Sequence, residues 1–224
     1  MDLYPTVTIV ENFYENPDEI RKFALKQKFS YCHELENIDY VYPGCRTKEL
    51  FDLDKNLYEK VCKKLVSVFH NTQHDNMRWA ISTSFQVVEG KFERGVLHQD
   101  SNTIFAGVIY LTPDAPIAAG TSLFKPNKSF DEEKYEAALK LNDENFRANR
   151  AVSTEYHHMF DETVRVNNIY NTLIIFNAQT YHAANHFFGD SLENGRMAQV
   201  FFITKIDAKS YDIFPLQRTK SINI

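Results

Sequence analysis

The chain has 224 residues, of which 43% are hydrophobic, and a formal charge of -5. That length suits one domain over residues 1–224, with enough apolar side chains for a core, and the acidic balance without a basic run argues against nucleic-acid binding. No apolar stretch reaches the roughly 18 to 20 residues that span a bilayer, so no membrane helix is expected.

The start, MDLYPTVTIVENF, lacks a basic segment ahead of an apolar run, so a cytoplasmic protein without a signal peptide is expected. Residues 6–13 read as a strand. Asn16-Pro17-Asp18 opens a helix over about 17–28, with Asn16 as cap and Pro17 in its first position. Residues 30–50 read as irregular and include the turn signal Pro43-Gly44. Leu57, Val61, Leu65 and Val68 recur at helical spacing and predict a second helix over 54–70. Cys32, Cys45 and Cys62 form no CxxC pair and read as free thiols in a reducing compartment.

From Trp79 the texture becomes that of strands. WAISTSFQVVEG, a short piece ending FERGVLHQD, NTIFAGVIYLT, AAGTSLF, TLIIF, QTYHAAN and RMAQVFFITKI follow in order. This pattern predicts a mainly β sandwich or barrel. A polar, helical segment over 125–150 interrupts the series as an insertion, either a solvated helix or a segment facing substrate.

VLHQDSN places His98 and Asp100 two residues apart, and residues i and i+2 of a strand share a face. An imidazole and a carboxylate can thus reach one ion. His182, on a later strand, supplies a second imidazole, giving the two-His, one-carboxylate set of non-haem Fe(II) sites. His186, four residues on, is the competing ligand; the TLIIF strand ahead of His182 favours the latter. Arg196 opens the last strand, and a guanidinium grips a carboxylate with two parallel hydrogen bonds. Asn185 or Gln179 is a candidate partner for a ligating imidazole. Substrate contacts are sought at Trp79, Ser82, Ser84 and Gln86, at Asn102, Thr103, Tyr156, His157 and His158, and at Lys125 and Lys128.

These residues, in this order, resemble the Fe(II)- and 2-oxoglutarate-dependent dioxygenase superfamily, prolyl 4-hydroxylase-like branch. The resemblance covers residues 79–205, with residues 1–78 similar to the supporting region of small members. It implies a double-stranded β-helix (a jelly roll, or cupin-like barrel) with N-terminal supporting helices. It implies Fe(II) on His98, Asp100 and His182, with 2-oxoglutarate and O2 as cosubstrates and Arg196 on the distal carboxylate. Ala198 stands where many members carry Ser or Thr, so Tyr110 or Gln199 is expected to supply the missing hydrogen bond. The implied reaction hydroxylates a C–H bond of a small-molecule or peptide substrate, releasing succinate and CO2. A free amino-acid or small-metabolite hydroxylase and a non-catalytic cupin-like binding or structural protein are the alternatives. Oligomeric state has no sequence signature here.

Overall fold

Alternation of side chains along the long strands decides the architecture. The computed structural model describes residues 7–35, 41–69 and 77–208. The supporting region contributes β1 (Val7–Val10), α1 (Pro17–Leu25), β2 (Ser30–Tyr31), β3 (Cys45–Arg46), α2 (Leu50–Leu53) and α3 (Lys55–Phe69). The rest is β4 (Met77–Val88), β5 (Phe105–Tyr110), β6 (Thr121–Pro126), α4 (Glu132–Arg147), β7 (Phe160–Val166), β8 (Leu173–Asn177), β9 (Tyr181–Ala184) and β10 (Arg196–Ala208).

Two antiparallel sheets form. The larger has the order β1-β8-β5-β10-β4-β3-β2, the smaller β7-β6-β9, and an isolated bridge between His98 and His182 extends the smaller sheet beyond β9. From β4 in the larger sheet the chain crosses to the smaller at His98, returns at β5, and crosses again at β6, β8, β9 and β10. This is the expected double-stranded β-helix.

On the larger sheet, Phe85, Val87, Leu173, Ile175, Met197 and Phe201 face outward and are buried under Phe13, Ala24, Val61 and Leu65 of the supporting region. Ala106, Tyr110, Ile174 and Phe176 face inward, against Leu123 and Val166 of the smaller sheet. Both faces are therefore covered, and each fully buried large apolar side chain contributes about 1.5–3 kcal/mol.

Local signals were realised with adjustments. Pro17 opens α1, but Asn16 makes no side-chain capping bond and the helix ends at Leu25, short of residue 28. The helix expected over 54–70 is α3, capped by Asp54, whose carboxylate accepts from the Leu57 amide at 2.9 Å; α2 is a separate turn before it, and His70 lies outside the described residues. The stretch read as irregular supplies β2 and β3, which extend the larger sheet from β4. Gly44 makes that possible. Its φ is +67°, and a Cβ there would lie 2.1 Å from the Val87 carbonyl oxygen.

The insertion is a largely solvated helix with one buried face. Asp131 caps α4 by accepting from the Lys134 amide, and the helix buries Tyr135, Asn142 and Phe146. Tyr135 packs with Leu97, Phe124, Phe160 and Ala183, covering the outer face of the smaller sheet. β7, FDETVRV, went unread in the sequence because its middle is charged and largely exposed. Among the described residues, no helix is long and apolar enough to cross a membrane, and Cys32, Cys45 and Cys62 are unpaired thiols.

Candidate metal centre

The ladder itself brings the two histidines together. The His98 amide donates to the His182 carbonyl at 3.1 Å, and the His182 amide donates back at 2.9 Å. Their rings lie on one side of this pair, with centroids 4.4 Å apart. Asp100 follows on the same face, its amide donating to the Ala178 carbonyl at 3.0 Å. Asp100 Oδ1 lies 3.3 Å from His98 Nε2, and Oδ2 lies 3.3 Å from His182 Nε2. One ligand atom from each residue falls within 4.8 Å of the others. His186 is exposed and is not part of this trio.

Backbone carbonyls fix both tautomers. His98 Nδ1 lies 2.9 Å from the Val96 oxygen and His182 Nδ1 lies 2.9 Å from the Thr180 oxygen, so each Nδ1 donates its proton there. Each Nε2 then turns a lone pair toward the Asp100 carboxylate. The orienting partners are carbonyls rather than Asn185 or Gln179. Gln179 instead steadies the backbone beside the carboxylate, donating to the Asp100 oxygen at 2.9 Å.

Two facing lone pairs and a carboxylate need a positive charge between them. Burial opposes ionisation of Asp100, yet the two imidazoles override it and hold the carboxyl well below the usual carboxylate range. Burial also works against a charged His98, but Asp100 wins and raises it; His182 is pushed down by burial and by the charge on His98. The trio thus accommodates one cation, and Asp100 Oδ2, buried and without a hydrogen bond, has a vacant lone pair for it. A divalent metal with imidazole and carboxylate preferences fits this donor set. His98 is the open side, with 39% of its side chain exposed against 10% for His182.

Arg196 lies deeper between the sheets, at 5% exposure. Its Nε donates to the Ala119 carbonyl at 2.9 Å and Nη2 to the Gly120 carbonyl at 3.4 Å. Tyr110 lies beside it, ring centroid 5.3 Å from the guanidinium carbon, its hydroxyl donating to Thr121 Oγ1 at 2.9 Å. No carboxylate among the described residues pairs with Arg196. Burial pushes its pKa down, and Tyr110 resists that. Uncompensated buried charge is costly and suits an anionic ligand. On β6, Thr121, which accepts from Arg196 Nη2 at 3.5 Å, pairs with Ala184 and Leu123 pairs with His182, so Thr121 lies one strand repeat, roughly 7 Å, from the residue opposite His182.

Gln199 is not beside Arg196. Three residues along β10 it points to the opposite face, where it accepts from the Tyr14 hydroxyl and donates to Thr83 Oγ1. The odd offset decides this, because strand side chains alternate. Ser84 and Gln86, paired with Val200 and Ala198, face the inter-sheet space; Trp79 packs with the outward apolar cluster instead. Tyr156 and His157 lie on the far side of the smaller sheet, where Tyr156 clasps the Leu97 backbone. His158, Asn102, Lys125 and Lys128 are exposed.

Two neighbours escaped sequence reading. Thr121 and Phe187 flank Arg196, yet nothing in their order links them to it. Arg46 was hidden in the stretch read as irregular. Its guanidinium lies 4.4 Å from the Tyr42 ring and 5.7 Å from the Phe202 ring, and its charge reaches His98.

Residues 4–203 match the model of a family of unknown function, DUF6445. No curated protein matches the sequence. In fold, the chain is similar to HygX from Streptomyces hygroscopicus with nickel and 2-oxoglutarate bound, at 11% identity and a TM-score of 0.51, covering 91% of this chain and 83% of that one. It is also similar to the non-haem alpha-ketoglutarate-dependent carbocyclase SnoK from nogalamycin biosynthesis, at 13% identity and a TM-score of 0.50, covering 88% and 79%. At these identities the likeness is one of fold.

Proposed function

We propose that this chain, which belongs to the DUF6445 family of unknown function, is an Fe(II)- and 2-oxoglutarate-dependent oxygenase that hydroxylates a C–H bond of a small-molecule or peptide substrate. The reading is carried by one juxtaposition: a two-imidazole, one-carboxylate set and a buried guanidinium without a carboxylate partner among the described residues, whose neighbour Thr121 is two residues along β6 from the partner of His182. A metal-binding module without chemistry has no use for the second feature.

In this reading His98, Asp100 and His182 hold Fe(II), leaving positions for other ligands. When bound, the metal supplies O2 activation coupled to decarboxylation of 2-oxoglutarate to succinate and CO2. Val96 and Thr180 keep both Nε2 lone pairs aimed inward. Arg196 takes the distal carboxylate of 2-oxoglutarate with two N–H groups, and the Tyr110 hydroxyl is the closest candidate for a third bond. The apolar lining of Leu123, Ile174 and Phe176 keeps water from that space. Substrate approaches from the His98 side, where the charge of Arg46 reaches the imidazole.

The test is anaerobic titration of Fe(II)-loaded protein with 2-oxoglutarate, followed by its visible charge-transfer absorption. A band in wild type that weakens strongly in Arg196→Ala supports the assignment of metal, cosubstrate and arginine together. Folded, iron-loaded protein without a band sinks it.

A further inference from the structure

On the outer face of the smaller sheet, opposite the metal centre, three half-buried side chains carry buried polar atoms that make no hydrogen bond. Ala183 packs under α4 while His182 points the other way, and Asn185 follows two residues on, just past the end of β9. The Asn185 amide donates to the Gly120 carbonyl at 3.0 Å, and the Gly95 amide donates to the Ala184 carbonyl at 2.8 Å. Backbone bonds therefore set Asn185 close to two glycines, Gly95 and Gly120. Arg94 directly precedes Gly95. His157, on the 3₁₀ turn Glu155–Met159, stands edge-on to Tyr156 with ring centroids 4.6 Å apart. Tyr156 is fixed to the backbone of Leu97, three residues beyond Arg94.

Arg94 Nε, both ring nitrogens of His157 and both amide atoms of Asn185 are buried and make no hydrogen bond. A single orphan of this kind is ordinary; five on three neighbouring residues are not. The nearby Arg165 behaves differently, since Glu162 accepts from it twice, at 2.9 and 2.7 Å. Arg94 makes no salt bridge among the described residues, and Glu162, the carboxylate whose charge reaches it, is held by Arg165. The guanidinium fixes the sign of what would satisfy the cluster.

We propose that Arg94, His157 and Asn185 form a second binding site, for a small oxyanion of the phosphate, sulfate or carboxylate class, on the face of the smaller sheet opposite the metal centre. The guanidinium takes two ligand oxygens and the Asn185 amide a third. Neutral His157 donates one N–H. The groups facing it are Arg94 and Tyr156, with Glu162 and Arg165 of β7 behind Arg94. Burial and the Arg94 charge push His157 down to about 4, and an oxyanion between the two reverses the second influence. This site does not depend on the metal reading.

The test is NMR of the full chain labelled in its histidine rings, titrated with sulfate, phosphate or acetate at constant ionic strength. Sulfate does not titrate near neutrality and so isolates the His157 response. The expected result is a saturable shift of the His157 ring signals, with its pKa rising by roughly one unit at saturating sulfate. Arg94→Gln weakens binding by about tenfold, with Arg94→Lys in between. Asn185→Ala is a second variant and weakens binding by a smaller factor. Stronger binding of sulfate and phosphate than of acetate assigns a tetrahedral oxyanion, and the reverse a carboxylate. His157 signals that ignore all three anions, or that saturate alike in wild type and in folded Arg94→Gln, overturn the proposal.

Discussion

His98 and His182 are hydrogen-bonded to each other through their backbones, and that one bridge sets their rings 4.4 Å apart. The bridge makes the imidazole pair a property of the sheet rather than of a loop. A metal binding here therefore reports on folding. Added Ni(II), used in place of oxidisable Fe(II), should raise the unfolding temperature; at a hundredfold excess over Kd the stabilisation is about 2.7 kcal/mol. His182→Ala and Asp100→Ala should abolish that rise in calorimetry. An undiminished rise in either variant removes the trio as the metal site.

Arg196 has a structural neighbourhood as well as a proposed ligand. Arg196→Lys keeps the charge but loses the planar fork, and should weaken 2-oxoglutarate binding by roughly tenfold to a hundredfold while leaving Ni(II) affinity unchanged. Tyr110→Phe should weaken it by less, since one neutral hydrogen bond is worth about 1 kcal/mol. Calorimetric titration of Ni(II)-loaded protein separates the two effects. Equal affinity in wild type and Arg196→Lys would exclude the guanidinium from the cosubstrate site.

Gln199 should matter for stability alone. It bridges the Tyr14 hydroxyl and Thr83 in a buried chain, and Gln199→Ala strands both partners. A loss of about 2 kcal/mol in urea unfolding is expected, with 2-oxoglutarate affinity intact. A loss of affinity without a loss of stability would return Gln199 to the cosubstrate site.

His157 predicts acid sensitivity. Burial first, and the Arg94 charge second, lower its pKa from 6.5 to about 4 in the folded chain. The unfolded chain thus binds a proton before the folded one does. The stability held by neutral His157 is complete above the unfolded value and is lost as pH falls through the window from 6.5 to about 4. The loss is about 2 kcal/mol after allowing for partial exposure. His157→Gln should flatten unfolding midpoints across that window in sulfate-free buffer. A slope unchanged by the substitution assigns the sensitivity elsewhere.

The sequence by itself determined what is local or periodic. Apolar runs marked β4, β5, β8 and β10, because a strand covered on both faces is apolar along much of its length. The i, i+2 spacing of His98 and Asp100 placed two metal-binding groups on one face before any partner was known. The order of His98, Asp100, His182 and Arg196 carried the resemblance that implied the fold. Alternation also held the answer for Gln199, whose odd offset from Arg196 puts it on the other face.

Only the tertiary structure decided contacts between distant segments. It set His182 rather than His186 across from His98, through a bridge whose register no local signal encodes. It showed that the polar insertion covers the smaller sheet, and that charged β7 is a strand because β6 pairs with it. It brought Thr121 and Phe187 to Arg196, and the charge of Arg94 to His157. The physical reason is the same in each case. Backbone preference and hydrophobic period act over a few residues, whereas pairing and the burial of an uncompensated charge are settled only when the two sheets close on each other.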